Sequence, residues 1–177
     1  PKTAMLLGAM KRRGAITAVS TAVEHHAVLD CVKSFESHAL IPVGRQCEID
    51  LEAFEALLKN AKGIGVVSVM QVNNETGAIF PVAEMARLTH AHSGALFHCD
   101  GVQGFLHADM PDMRDIDLYS VSGHKIHAPK GVGALYIKEG VALGRVNYGG
   151  GQESGERNGT ENTPGIAALG AAVLSFE

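Results

Sequence analysis

The chain has 177 residues, enough for one domain of ordinary size with a hydrophobic core. Hydrophobic residues make up 46% and charged residues 19%, which excludes an intrinsically disordered segment. The net charge is −4 and no basic stripe is present, which argues against a nucleic-acid-binding function.

Cysteine and histidine spacing gives no sign of a disulfide scaffold or a metal site. The cysteines are Cys31, Cys47 and Cys99, an odd number at wide spacing without a CxxC pair. The nine histidines include no HExxH pattern, so we expect no bound metal. The sequence has no run of about 18 apolar residues, so we expect no membrane span. The first residues lack the order of a secretory signal, and we therefore expect a cytoplasmic protein.

Apolar periodicity predicts alternating helices and strands. Strands are predicted at 15–20, 39–43, 65–72, 95–99, 116–122 and 133–138. Helices are predicted at 2–13, 27 to about 37, 51–60, 82–91 and 165–176. In the first helix one face is apolar, formed by Met5, Leu6, Ala9 and Met10.

Residues with known positional preferences predict where these helices begin and end. Gly14 ends the first helix, and Thr21 with Glu24 has the spacing of a capping box before the second. Asp50 caps the third helix and Pro81 starts the fourth. Asn162 or Thr163, followed by Pro164, starts the last helix.

The strand–helix alternation predicts an α/β fold, a three-layer αβα sandwich with a mostly parallel sheet. Residues 65–72 are nearly all apolar, which is typical of a central strand covered on both faces. Pro42 favours an edge position for strand 39–43. In such folds the ligand crevice lies beyond the carboxyl ends of the strands, so polar residues at the strand exits are the candidates for function.

Four strand exits carry polar side chains. Their residues are Glu24, His25 and His26; Asn73, Asn74 and Glu75; Asp100 and Gln103; and Ser122, His124 and Lys125. Turn formation alone would explain an Asn or an Asp at such a position. It does not explain an amide pair, an acid and a His–Lys pair together, and this combination indicates a binding site.

Lysine and aspartate are the most informative of these residues. Lys125, held at a partly buried strand exit, can act as a nucleophilic amine, although a lysine at a sheet rim can also simply reach solvent. Lys130 lies in a Pro-Lys-Gly turn and is expected to be solvated. Asp100 ends an apolar strand and needs a cationic or donor partner. A protonated pyridine nitrogen is one candidate, a helix N-cap over Gly101–Phe105 is another, and both can hold.

Other exit residues suit a flat, phosphorylated ligand. Gln103 can share a face with Asp100 and can donate to a ligand oxygen. The His25 ring can stack on a heteroaromatic ring, and the simpler alternative for His25 is a surface position at a helix N-terminus. Ser122 and His124 can donate to phosphate oxygens. The hydroxyl of Thr160 and the backbone amides of the 149–160 glycine loop can do the same.

Five segments occur in an order that resembles a known family. They are VEHHAV, VNNETG, HCDGVQ, SGHKIHAPKGVGALY and GGGQESGERNGTEN. In this order they resemble the cysteine desulfurases, which are fold-type I, class V aminotransferase-like enzymes that use pyridoxal 5′-phosphate. The resemblance runs from about residue 5 to residue 177 and implies the large domain of a pyridoxal-phosphate-dependent transferase.

The resemblance implies a role for each candidate residue. Lys125 matches the catalytic lysine that forms the Schiff base with the cofactor, Asp100 the partner of the pyridine nitrogen, and Gln103 the donor to the ring's phenolic oxygen. His25 matches the stacking histidine, counted here with the catalytic residues.

The other matches lie around the cofactor and at a subunit boundary. They are Asn74 near the cofactor, Ser122 and His124 at the phosphate, and Thr160 at the phosphate of the neighbouring subunit's cofactor. The resemblance therefore implies a homodimer.

Some features of the family have no match in this sequence. We expect residues 1–177 to form a single domain corresponding to most of the large domain. The family's N-terminal phosphate-cradling turn and its C-terminal small domain, with the persulfide cysteine, are not matched. Ser154 and Val23 replace family residues, an arginine and a threonine. We therefore expect these 177 residues to turn over L-cysteine poorly.

Three functions remain open from the sequence. The first is a cysteine desulfurase that takes sulfur from L-cysteine, giving alanine and an enzyme persulfide for a sulfur-acceptor protein, as in iron–sulfur cluster assembly. The second is another class V aminotransferase or lyase that uses pyridoxal phosphate. The third is a non-catalytic module, either a truncated scaffold or an interaction protein.

Overall fold

The short apolar runs form one six-stranded sheet in the computed structural model, which describes residues 2–13 and 15–176. The strands are β1 (Thr17–Thr21), β2 (Ser37–Ile41), β3 (Ile64–Met70), β4 (Leu96–Asp100), β5 (Leu118–Ser122) and β6 (Gly133–Ile137). Their order is β2-β1-β3-β4-β5-β6. All neighbouring pairs are parallel except β5 and β6, which are antiparallel.

Helices cover both faces of this sheet. The covering helices are α1 (Lys2–Arg13), α2 (His26–Lys33), α3 (Leu51–Asn60) and α4 (Val82–His92), and a fifth helix, α5 (Thr163–Leu174), is largely exposed. Buried residues of α1 and α2 pack with one set of strand side chains, and those of α3 and α4 pack with the alternate set. The predicted three-layer α/β fold with a mostly parallel sheet is therefore confirmed. None of the helices in the described part of the chain is long and apolar enough to cross a bilayer.

The burial of β3 and β2 agrees with their central and edge positions in the sheet. Every residue of β3 is buried, as predicted for a central strand, while β2 lies at the edge and is partly exposed. The predicted apolar face of α1 is buried, with Met5, Leu6 and Ala9 at 2% exposure or less.

Two of the predicted helix starts are confirmed. The Asp50 carboxylate accepts from the backbone N–H groups of Glu52 and Ala53, both at 3.0 Å. Asn162 caps α5 through a 3.1 Å hydrogen bond from the Gly165 N–H. Gly14, predicted to end α1, lies outside the described residues.

The predicted capping box is wrong, because tertiary contacts take the Glu24 carboxylate. Oε1 of Glu24 accepts from the Thr21 hydroxyl at 3.2 Å and from the Met70 N–H on β3 at 2.6 Å. The cap of α2 is His25, whose Nδ1 accepts from the Ala27 N–H at 3.1 Å.

Three further boundaries differ from the prediction. Helix α2 ends at Lys33, before the predicted residue 37, because β2 already begins at Ser37. Pro81 is the N-cap of α4, one position before the first helical residue. The short segment after Asp100 forms hydrogen-bonded turns in place of a helix, with the Gly104 and Phe105 N–H groups donating to the Gly101 carbonyl.

Candidate active site

The exits of β1, β3, β4 and β5 meet in one cleft, because these parallel strands are neighbours in the sheet. The cleft measures about 280 Å³, which is near the lower end for small-molecule pockets. All of the predicted site residues except Thr160 line it: His25, Asn74, Asp100, Gln103, Ser122, His124 and Lys125. Met70, Val72 and Val102 supply apolar walls.

Asp100 is the buried acid of the cleft. It is the last residue of β4 and is only 2% exposed. Its Oδ1 accepts from the Val102 N–H at 3.2 Å and from the Ser120 hydroxyl at 3.3 Å. Asp100 thus caps the following turn, where the sequence predicted a helix, and it also faces the cleft. A carboxylate held there attracts a cationic group of a ligand.

Lys125 approaches the cleft from a tight turn. It ends the short 3₁₀ helix Gly123–Lys125, which directly follows β5, and it is half-buried. The Lys125 carbonyl accepts from His107 Nε2 at 2.9 Å, which anchors the turn. Gly123 is closely packed there, because a Cβ would come within 3.1 Å of the Ala128 side chain and the Val132 carbonyl. Lys130 is exposed and does not line the cleft.

Hydroxyl and imidazole groups form a polar wall beside the lysine. Ser122 Oγ and His124 Nδ1 are hydrogen-bonded at 2.8 Å, and both residues line the cleft. Together with the Lys125 amine they provide donors for an anionic group such as a phosphate.

Asn73 holds two walls of the cleft together, and the sequence analysis missed this role. Its Oδ1 accepts from the N–H groups of Glu75 and Thr76 at 2.9 Å each, which shapes the turn that carries Asn74. Its Nδ2 donates to the Val23 carbonyl at 3.0 Å, near His25. The Asx-turn preference of Asn was the available signal.

His98 is the second residue that the sequence analysis missed. It is fully buried on β4 and contacts the hydroxyls of Ser68 and Ser120 through its two ring nitrogens. Side chains two apart on a strand share a face, so its position two residues before Asp100 was the available signal.

Thr160 lies apart from the cleft formed by its own chain. It is exposed, in the loop before α5, and its carbonyl accepts from the Arg157 guanidinium at 3.3 Å. The rest of the 149–160 glycine loop also lies outside the cleft lining.

Cysteine thiols and metal-ligating clusters do not contribute to this cleft. Burial raises the pKa of Cys31, and it raises that of Cys99 much further, with added repulsion from Asp100 and Glu24. Cys47 lies on a loop with Sγ 3.5 Å from the Thr76 hydroxyl. Within the described ranges no group of three or more His, Cys, Asp or Glu residues could hold a metal ion.

The fold and the cleft define an α/β protein with a small-molecule-sized cleft where its parallel strands end. The sequence model of the family described as Aminotransferase class-V matches residues 4–176, and the chain belongs to this family.

Similar proteins with assigned names are cysteine desulfurases. One from Sinorhizobium fredii is 46% identical over 94% of this chain, and the cysteine desulfurase NifS of Azotobacter vinelandii is 43% identical over 89%. The chain spans only 43% and 40% of these two relatives, less than half of their length.

Solved structures agree with this assignment of the fold. A NifS-like protein superimposes with a TM-score of 0.88 at 34% identity, over 97% of this chain and 48% of that protein. SspA in complex with cysteine superimposes with a TM-score of 0.87 at 31% identity, over 97% of this chain and 51% of that one.

Proposed function

We propose that this chain forms the pyridoxal 5′-phosphate-binding part of a cysteine desulfurase, which removes sulfur from L-cysteine and leaves alanine. The observation that carries this proposal is the meeting of the Lys125 amine and the buried Asp100 carboxylate at one small cleft. The names of the relatives support this substrate over those of other class V aminotransferases and lyases.

The residues of the cleft fit this cofactor. Asp100 would pair with the protonated ring nitrogen, and the Lys125 amine would hold the aldehyde carbon. His25 would lie against the ring face, and Ser122 with His124 would donate to the phosphate. When bound, the cofactor supplies a ring that withdraws electrons from the substrate's α-carbon.

Each of these side chains has a separate task. The Asp100 carboxylate favours a proton on the ring nitrogen, which strengthens the ring's electron withdrawal. The Lys125 amine accepts and returns protons near the substrate's α- and β-carbons. Gln103 and Asn74 donate hydrogen bonds that orient the ring, and the walls formed by Met70 and other apolar side chains limit the access of water.

The thiol that takes the sulfur atom is proposed to come from outside residues 1–177. Cys31, Cys47 and Cys99 do not line the cleft. Cys31 and Cys99 are buried, and their raised pKa values keep them as unreactive thiols.

We further propose that the protein acts as a homodimer. Thr160 stands away from its own chain's cleft and is free to approach the cleft of a second copy. Helix α5 is apolar in sequence yet largely exposed, with Ile166 at 47% and Leu174 at 90%. Such a surface favours association, and the expected mass in light scattering is that of two chains.

The cofactor part of this proposal is tested by absorbance and by mass. Protein titrated with pyridoxal phosphate should turn yellow, and borohydride should fix the cofactor to the peptide containing Lys125. Lys125→Ala should abolish both signals, whereas Lys130→Ala, which changes a lysine outside the cleft, should retain them. A colourless protein that takes up no added cofactor would favour a non-catalytic module.

The substrate part is tested by product analysis on the protein that contains this sequence. L-cysteine should yield alanine and sulfide equivalents, and other amino acids should yield neither. Transfer of the amino group to a keto acid would favour an aminotransferase instead.

A further inference from the structure

A row of buried polar side chains crosses the sheet face that packs against α1 and α2. Ser20 on β1, Ser68 on β3, His98 on β4 and Ser120 on β5 are each 2% exposed or less. Ser68 is in register with both Ser20 and His98, and Ser120 is in register with Asp100. Buried polar groups in an otherwise apolar layer are costly unless they are paired, so the pairing of this row matters.

Hydrogen bonds join three members of the row to Asp100. The distances are 2.8 Å from Ser68 Oγ to His98 Nδ1, 3.1 Å from His98 Nε2 to Ser120 Oγ, and 3.3 Å from Ser120 Oγ to Asp100 Oδ1. The same Oδ1 accepts from the Val102 N–H, which can only donate. With Asp100 as a carboxylate, Oδ1 can only accept, so the Ser120 hydroxyl donates to it.

Donor counting then sets the direction of the whole chain. A serine hydroxyl has one proton, and Ser120 uses it on Asp100, so Ser120 accepts from an N–H at His98 Nε2. In a neutral imidazole with this proton, Nδ1 accepts, and the Ser68 hydroxyl donates to it. Every donor from Ser68 onward thus points toward the Asp100 carboxylate.

We propose that Ser68, His98 and Ser120 form a one-way hydrogen-bond chain that holds the Asp100 carboxylate in the orientation needed to pair with the cofactor's ring nitrogen. This inference rests on the proposed function. Donors aligned in this way fix the position of the carboxylate that accepts from them, and in a low-dielectric interior each bond polarises the next. His98 and Ser120 are positioning residues, because they do not line the cleft.

The test measures cofactor binding in the protein with each link removed. Ser120→Ala and His98→Leu should each weaken pyridoxal phosphate binding about tenfold or more. This is the fold-change that corresponds to the loss of one hydrogen bond to a charged group. They should also shift the visible absorption of the bound cofactor, because its ring nitrogen loses a correctly placed partner. His98→Gln, whose amide can both donate and accept, should restore much of the affinity.

Ser20→Ala is the matched control. Its hydroxyl lies in the same buried row but donates to the Ser68 carbonyl at 2.8 Å, and this bond does not lead to Asp100. We expect Ser20→Ala to lower the melting temperature without changing cofactor affinity or absorption. An equal loss of affinity in Ser20→Ala would show that general loosening of the layer is responsible, and would overturn the inference.

A double-mutant cycle provides the sharpest readout. If the chain is one unit, His98→Leu should add little further loss of affinity once Ser120→Ala is present. If the two losses of cofactor affinity are additive, the proposal of a single hydrogen-bond chain is overturned. If His98→Leu does not fold, Ser68→Ala with Ser120→Ala makes the same test.

Failure of the inference and failure of the proposed function give different results. If the unaltered protein takes up no pyridoxal phosphate, both are wrong. If it binds the cofactor and Ser120→Ala binds it equally well with the same absorption, only the hydrogen-bond chain is wrong.

Discussion

The phenolic hydroxyl of Tyr119 donates a 2.6 Å hydrogen bond to Oε1 of Gln71 in the interior, against the turn that carries Gln103. The glycines of this turn contact the pair closely. A Cβ on Gly101 would lie 2.0 Å from the Tyr119 ring, and one on Gly104 would lie 2.3 Å from Gln71 Oε1. The Tyr119 and Gln71 side chains therefore leave no room for a Cβ at Gly101 or Gly104 unless they move.

Gly104→Ala should destabilise the protein by about 1–3 kcal/mol, because the buried, doubly hydrogen-bonded Gln71 side chain has to move. Thermal denaturation should show a lower melting temperature. Gly170→Ala is the control, since it lies in α5 with no atom within 4 Å of the added Cβ. It should raise stability by up to about 1 kcal/mol. Changes of the same sign in both variants would contradict this explanation.

Tyr119→Phe should cost about 1–3 kcal/mol in urea denaturation, because it removes the donor to a buried amide oxygen. Tyr136, at 43% exposure, offers a matched change. Tyr136→Phe should change the free energy of unfolding by less than about 0.5 kcal/mol. Equal effects would mean that the Tyr119–Gln71 hydrogen bond contributes nothing measurable.

His25 has a capping role and a proposed ring-stacking role, and substitution can separate them. His25→Asn should keep the cap of α2 but lose the ring, so stability should stay near that of the unaltered protein while cofactor affinity falls. His25→Ala should lose both, with a cost of about 1 kcal/mol in stability. His26→Ala changes a neighbouring side chain that is 82% exposed, and it should bind the cofactor normally. Unchanged affinity in His25→Asn would remove the stacking role.

Cysteine reactivity should differ sharply among the three thiols. The thiolate is the reactive form, and burial raises the pKa of Cys31 and Cys99. At neutral pH iodoacetamide should therefore modify the half-exposed Cys47 first, as detected by peptide mass spectrometry. In Cys47→Ser the rapid phase should disappear. Rapid labelling of Cys99 in the native protein would show that its environment opens.

Alkaline pH should destabilise the fold. Burial raises the pKa of Cys99 above its usual 9.0 and that of Tyr119 above its usual 10.0, so the unfolded chain releases these protons first. These two groups should therefore add no pH dependence below about pH 8, and stability should fall as the pH rises through 9 and 10. Cys99→Ala should flatten the fall that begins near pH 9. A stability that is independent of pH up to 11 would contradict the raised values.

Several local rules were sufficient to predict parts of the fold. Asp50 caps α3 as expected, because this cap depends only on the next three residues. The all-apolar run at β3 predicted a central strand, because a strand without polar residues has to be covered on both faces. Glu24 was assigned wrongly, because its partner Met70 is far away in the sequence and a backbone N–H gives no signal there.

Sequence by itself determined the order of strands and helices, the parallel α/β class and the grouping of polar residues at strand exits. These follow from the local period of apolar side chains and from the topology of parallel sheets. Only the tertiary structure decided that Ser68, His98 and Ser120 line up behind Asp100, and that Thr160 lies away from its own cleft. Both depend on register and packing between residues distant in the sequence, and such contacts carry no local pattern.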